Sequence, residues 1–75
     1  IQRYHIKKEG SKKYLYVDYR DTNVVASIAD SPKVMAEIIG LLAKHQDIDI
    51  IVLLDVYEKM YDEKQTKMLK EVASL

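Results

Sequence analysis

Asp30-Ser31-Pro32-Lys33-Val34-Met35 announces where a helix begins, and the arrangement of the rest of the chain is read outward from it. Ser31 can accept a backbone N–H as the cap, Pro32 has no N–H to leave unsatisfied at the first helical position, and Asp30 sits at the positive end of the dipole. From that start Val34, Met35, Ile38, Ile39, Leu41 and Leu42 recur at helical spacing in a wide apolar stripe. The reading is a helix from Pro32 to His45, buried against a sheet. Gly40 interrupts it at a cost of about 1 kcal/mol relative to Ala, and its missing side chain is expected to let the helix approach a strand closely.

Upstream, Arg3-Tyr4-His5-Ile6-Lys7 and Tyr14-Leu15-Tyr16-Val17-Asp18-Tyr19 alternate on either side of Glu9-Gly10-Ser11, which supplies turn chemistry. That pattern is a β-hairpin. Leu15 and Val17 are expected to look into the core, with Tyr14, Tyr16 and Asp18 on the other face. Residues 24–28 read equally as a third short strand or as an extended lead into the helix. Downstream, Ile50-Ile51-Val52-Leu53-Leu54 is too short for a helix and continuously apolar, the pattern of an inner strand covered on both sides. Strand, helix, strand in that order implies a crossover and a mixed sheet.

The last helix has two possible capping boxes, Asp55 with Glu58 and Asp62 with Gln65, of which Asp62 is favoured. Met68, Leu69, Val72 and Leu75 then form its apolar stripe, while Lys64, Lys67, Lys70 and Glu71 face water. Val56, Tyr57, Met60 and Tyr61 fall in the connection before it, or in an extra turn, and are expected to pack as a lid over one end of the core. The fold class is α+β: a β-hairpin plus strand-helix-strand-helix, a small mixed sheet with two helices, in one small domain over residues 1–75. Because the chain opens on Ile1 and closes on Leu75 with no stop signal, the expectation is a module of a longer protein.

Composition narrows the function classes. Twelve basic and twelve acidic residues cancel, so no global field draws the chain to nucleic acid or an anionic membrane. Cysteine is absent, which removes disulfides, thiolate nucleophiles and cysteine-based metal sites, and a cytoplasmic, reducing setting is expected. The longest apolar run is far short of the roughly 20 residues that span a bilayer, so no membrane insertion is expected. Charged residues at 32% without cysteine match the balance of heat-adapted proteins. Six tyrosines with no Phe or Trp give the edges of the core hydroxyl handles.

Chemistry-bearing constellations are sparse. An apolar strand ending in Asp55 has the form of the acid that holds magnesium in phosphate-binding ATPases, but the Gly-rich partner loop is missing and only Gly10 and Gly40 exist. Asp55 therefore reads as the residue that caps or ends an element at the sheet edge. His5 and His45 lie in separate elements with no zinc spacing; His45 reads as a complement to the helix dipole. None of Ser11, Ser27, Ser31 or Ser74 sits on a strand-to-helix elbow with flanking glycines, so neither a catalytic residue nor a cofactor or metal site is assigned. Lys7, Lys12 and Lys13 around the hairpin, with Tyr14 and Tyr16 beside them, can bind single-stranded nucleic acid by phosphate contact and stacking. The plainer reading is that lysines keep an edge strand from aggregating.

Taken in order, the tyrosine-rich hairpin, Ser27-Ile28-Ala29-Asp30-Ser31-Pro32-Lys33-Val34-Met35, Ile51-Val52-Leu53-Leu54 and the stretch Tyr57-Glu58-Lys59-Met60-Tyr61-Asp62-Glu63-Lys64-Gln65-Thr66-Lys67-Met68-Leu69 resemble the amino-terminal region preceding the motor of archaeal secretion-type ATPases. The resemblance covers most of the chain and carries no catalytic motif, since the motor residues of that family lie downstream. It implies a non-catalytic role in docking or assembly, with other domains of the parent chain or protein subunits as partners and Tyr14, Tyr16, Tyr57 and Tyr61 as contact residues. The alternatives are a nucleic-acid-binding module using Lys7, Lys12, Lys13, Tyr14 and Tyr16, and a regulatory domain binding a ligand between the sheet and the last helix.

Overall fold

The computed structural model describes residues 2–75; Ile1 lies outside the described residues. Two strands, β1 (Tyr4–Glu9) and β2 (Lys12–Asp18), form the hairpin, followed by α1 (Pro32–Lys44), β3 (Ile50–Leu54), β4 (Glu58–Tyr61) and α2 (Glu63–Ala73). The strands make one sheet in the order β1-β2-β3-β4, antiparallel at both ends and parallel at the β2–β3 seam. It is the mixed α+β sheet that the strand-helix-strand order implies.

The β1–β2 turn works because Gly10 takes φ +60°, a conformation disfavoured for side-chain-bearing residues, while Ser11 stays at negative φ. This fixes the register: Glu9 pairs with Lys12, Lys7 with Tyr14 and His5 with Tyr16. Helix α1 starts where the sequence says, with Pro32 first and the Ser31 hydroxyl accepting the Val34 N–H at a long 3.4 Å. Helix α2 starts at the Asp62 box. Asp62 Oδ1 accepts the Gln65 N–H at 2.8 Å, and Gln65 Oε1 accepts the Asp62 N–H at 3.0 Å.

Both helices lie on one face of the sheet. Val34, Ile38 and Leu42 of α1 meet Leu15, Val17, Ile51, Leu53 and Tyr61 from the strands, with Ile48 beneath them and Leu69 and Ala73 of α2 at the margin. Ile48 enters this core because Asp49 locks the approach to β3. Its N–H donates to the Lys13 carbonyl at 2.8 Å, and its Oδ2 accepts the Lys13 N–H at 2.9 Å.

Residues 24–28, open in the sequence between a short strand and an extended lead into the helix, form no strand; Ile28 and Ala29 rest against the core as part of an irregular connection. Several expectations are corrected. Gly40 makes no close approach, since a Cβ built there would meet nothing within 4 Å. The segment expected as a lid is instead a tight turn and the edge strand β4, because Asp55 and Tyr57 bond across it and reverse the chain. On α2 the core side is Thr66, Leu69 and Ala73, whereas Met68 and Val72 remain exposed at 59% and 48%. Thr66 can occupy the core because its hydroxyl donates to the Tyr61 carbonyl at 3.1 Å, leaving no polar atom orphaned.

Candidate functional site

Strand alternation sends His5 and Lys7 of β1, Tyr14, Tyr16 and Asp18 of β2, Val52 and Leu54 of β3, and Glu58 and Met60 of β4 to the face away from the helices. No secondary-structure element of the described residues covers it. Val52 is nonetheless only 1% exposed. In the register Tyr16 and Met60 stand on either side of Val52. The inner strand is thus buried on its helix side and at Val52 on the other.

Tyr16 is the hub of this face. The His5 ring stacks on it with centroids 5.1 Å apart and planes within 6°, and Tyr14 lies 6.1 Å away at 22°. Lys7 Nζ sits 5.7 Å from the Tyr16 centroid, within cation–π range. Partial burial, then the charges of Glu9, Tyr14 and Glu58, hold the Tyr16 hydroxyl above its ordinary value. The His5 contact was open to sequence reasoning: a two-residue turn at Gly10-Ser11 dictates the His5–Tyr16 pairing.

The other sequence-predicted residues separate. Tyr57 stands 68% exposed in the β3–β4 turn. Tyr61, by contrast, turns to the helix side and is 7% exposed among core residues, with Lys59 Nζ 5.3 Å from its ring centroid. Lys12 and Lys13 are drawn off into ion pairs. Lys12 Nζ donates to Glu63 Oε2 at 2.9 Å, and Lys13 pairs with Asp47. Of the five residues of the nucleic-acid reading, Lys7, Tyr14 and Tyr16 share the helix-free face, where Lys7 has no ion pair among the described residues, and two lysines are neutralised elsewhere.

Asp55, read from the sequence as the residue that caps or ends an element at the sheet edge, is committed to the backbone. Its Oδ2 accepts the Ile28 N–H at 3.0 Å and its Oδ1 the Tyr57 N–H at 2.7 Å. Both oxygens are therefore spent on structure. His45 caps the end of α1 through its N–H to the Leu41 carbonyl, and its ring leans on Tyr4 at 5.9 Å. Among the described residues no group of three His, Asp or Glu side chains is placed to hold a metal ion, and no helix is long and apolar enough to cross a membrane. A depression of 540 Å³ beside Gln2, Arg3, Asp18, Arg20 and Asp21 is lined by charges that satisfy one another, Arg3 with Asp21 at 3.0 Å and Arg20 with Asp18 at 2.7 Å. No protein-family model, curated protein or solved structure matches this chain.

Proposed function

We propose that the chain is a non-catalytic interaction domain that docks a neighbouring domain or subunit on its helix-free sheet face. The observation that carries this reading is the band of Tyr14, Tyr16 and Met60 on a face with no covering layer, Met60 being 53% exposed. Aromatic side chains that are already stacked lose little conformational freedom on binding, which is what makes them effective anchors. Asp55, Asp62, Lys12 and Lys13 are engaged in turns, a cap and ion pairs, and the reading gives the domain a surface role. The resemblance to secretion-type ATPases makes the partner a motor domain or adjoining subunit of such a machine. That part of the proposal rests on the order of sequence signals.

A photo-crosslinking residue in place of Tyr16 tests the docking face. In the full-length protein it is expected to crosslink to a neighbouring domain or subunit, while the same residue in place of Lys67 does not; equal labelling at both overturns the reading. The ATPase assignment is tested by the residues that follow in the same chain. A Gly-rich phosphate loop there supports it, and its absence overturns it.

The stack of His5, Tyr16 and Tyr14 with Lys7 beside it favours one second reading, binding of a single-stranded nucleic acid. Affinity for an oligonucleotide that falls steeply with salt and is lost in Tyr16→Ala supports this alternative. Flat or absent binding removes it.

A further inference from the structure

The charges of the helix-free face are laid out on a diagonal. In the register, Lys7 shares a row with Tyr14, and Glu58 shares one with Asp18 and Leu54, on either side of the row of His5, Tyr16, Val52 and Met60. Asp18 is held by Arg20 at 2.7 Å, whereas Lys7 and Glu58 have no ion pair among the described residues. These two stand at opposite corners of the face, on the outermost strands, separated by about 14 Å both across and along the strands at ordinary sheet spacing. Tyr16 and Val52 lie between them. A basic corner and an acidic corner thus flank an aromatic and apolar middle, a pattern that complements itself when turned over.

We propose that this face packs on the same face of a second copy of the chain, about a two-fold axis that lies between the two sheets and runs perpendicular to the line from Lys7 to Glu58. The proposal rests on the docking reading of the face and names its occupant. Such an axis sets Lys7 of each copy against Glu58 of the other, closing two ion pairs. Because that line runs at about 45° to the strands, the strands of the two sheets cross at nearly a right angle, which is the orthogonal class of sheet packing. Other contacts follow with no further choice. The same rotation brings His5 against Asp18 of the second copy and Tyr14 against Met60, with Tyr16 and Val52 around the axis itself. An imidazole meets a carboxylate and a ring meets a thioether, both favourable pairings. Other axes do less well: a two-fold along the strands faces Asp18 with Leu54 and His5 with Met60, and one across the strands faces Lys7 with Arg3. The diagonal axis also passes the Arg3 corner, where each guanidinium is already paired with Asp21 at 3.0 Å and lies over the Tyr19 ring. Glu9 and Lys12, one row beyond Lys7 and Tyr14, run past the β4 edge of the other sheet.

Sedimentation equilibrium from micromolar to millimolar concentration tests the proposal. The chain is expected to dimerise, and Lys7→Glu and Glu58→Lys are each expected to weaken the dimer by about fivefold or more, since each sets like charges together twice. Both substitutions in one chain, or an equimolar mixture of the two single variants, are expected to restore the dimer, a rescue that loss of folding cannot imitate. A chain that stays monomeric at millimolar concentration overturns the second copy as the occupant. So does a dimer that either single reversal leaves unchanged, or one that the double reversal fails to restore. Under any of these results, crosslinking from Tyr16 to a different domain or subunit keeps the docking reading, whereas labelling equal to that from Lys67 removes it as well.

Discussion

The carboxylate of Asp55 holds the Ile28 amide at 3.0 Å, tying the irregular connection before α1 to the end of the central strand. The same side chain closes the β3–β4 turn through Tyr57. Two backbone donors, Ile28 at 27 positions and Tyr57 at 2 positions from Asp55 in the chain, depend on this one largely buried acid. Asp55→Ala is expected to destabilise the fold by about 2–4 kcal/mol, since two hydrogen bonds to a charged acceptor are lost and their donors are left without it. Urea unfolding measures this, and a loss below that of a surface substitution contradicts it.

Tyr61 supplies the converse case. Its hydroxyl is buried without a hydrogen-bond partner among the described residues, and burial followed by the Asp55 charge raises its pKa above the ordinary value. Removing an unsatisfied polar atom while keeping the ring is expected to leave stability unchanged or raise it by about 1 kcal/mol. Tyr61→Phe in the same urea assay tests this; a clear loss shows that the hydroxyl has a role in the fold.

Gly40 lies in mid-helix with open space where a Cβ would stand. Gly40→Ala is therefore expected to stabilise the chain by about 0.5–1 kcal/mol, through helix propensity and the smaller entropy of the unfolded chain. Thermal unfolding that shows a lower midpoint for the variant contradicts this.

Asp18 governs part of the acid limb of stability. Its bonds to the Arg20 side chain and backbone hold its carboxyl at about 2 against an ordinary 3.8. A depressed folded-state value means that the contribution is present above 3.8 and is lost as pH falls toward about 2. Arg20→Ala is expected to flatten the decline of stability across that window, read from urea midpoints at successive pH values. An unchanged slope refutes the coupling.

Tyr19 acts at the other extreme. Burial, then its hydrogen bond to Glu37 at 2.8 Å, raises its hydroxyl to about 12 from 10.0. The folded state prefers the protonated form, so the contribution is present below 10.0 and disappears as pH rises toward about 12. Tyrosinate absorbance is expected to show one late-titrating group that Tyr19→Phe removes, and a titration unaltered by that substitution counts against the assignment.

The two helix starts, the hairpin and the central strand were legible because each rests on local chemistry: Ser31-Pro32, the Asp62 and Gln65 box, Gly10, and an apolar run at Ile50–Leu54. Strand β4 was not. Four residues with two charges, Glu58 and Lys59, carry too short an alternation to separate from a connection, and they become a strand by pairing with β3 and by the turn that Asp55 makes. The side of α2 that is buried was also hidden, because Thr66 enters the core only when the carbonyl of Tyr61, five residues earlier in the sequence, is there to accept its hydroxyl. For the helix-free face, Tyr14 and Tyr16 were readable from alternation; the separation of Tyr61 from them required knowing that β4 exists.

The parallel β2–β3 seam bears on how the chain reaches its native state. Each hairpin joins neighbours in sequence and can zip within microseconds, but the seam forms only when the ends of residues 19–49 meet. Loop closure over roughly thirty residues costs about 3 kcal/mol of chain entropy before any contact repays it. Early folding should therefore consist of two independent hairpins, with the rate set by their union under α1. High kinetic φ-values at Leu15, Val17 and Ile51, where the two hairpins unite under α1, are the signature that mechanism would leave.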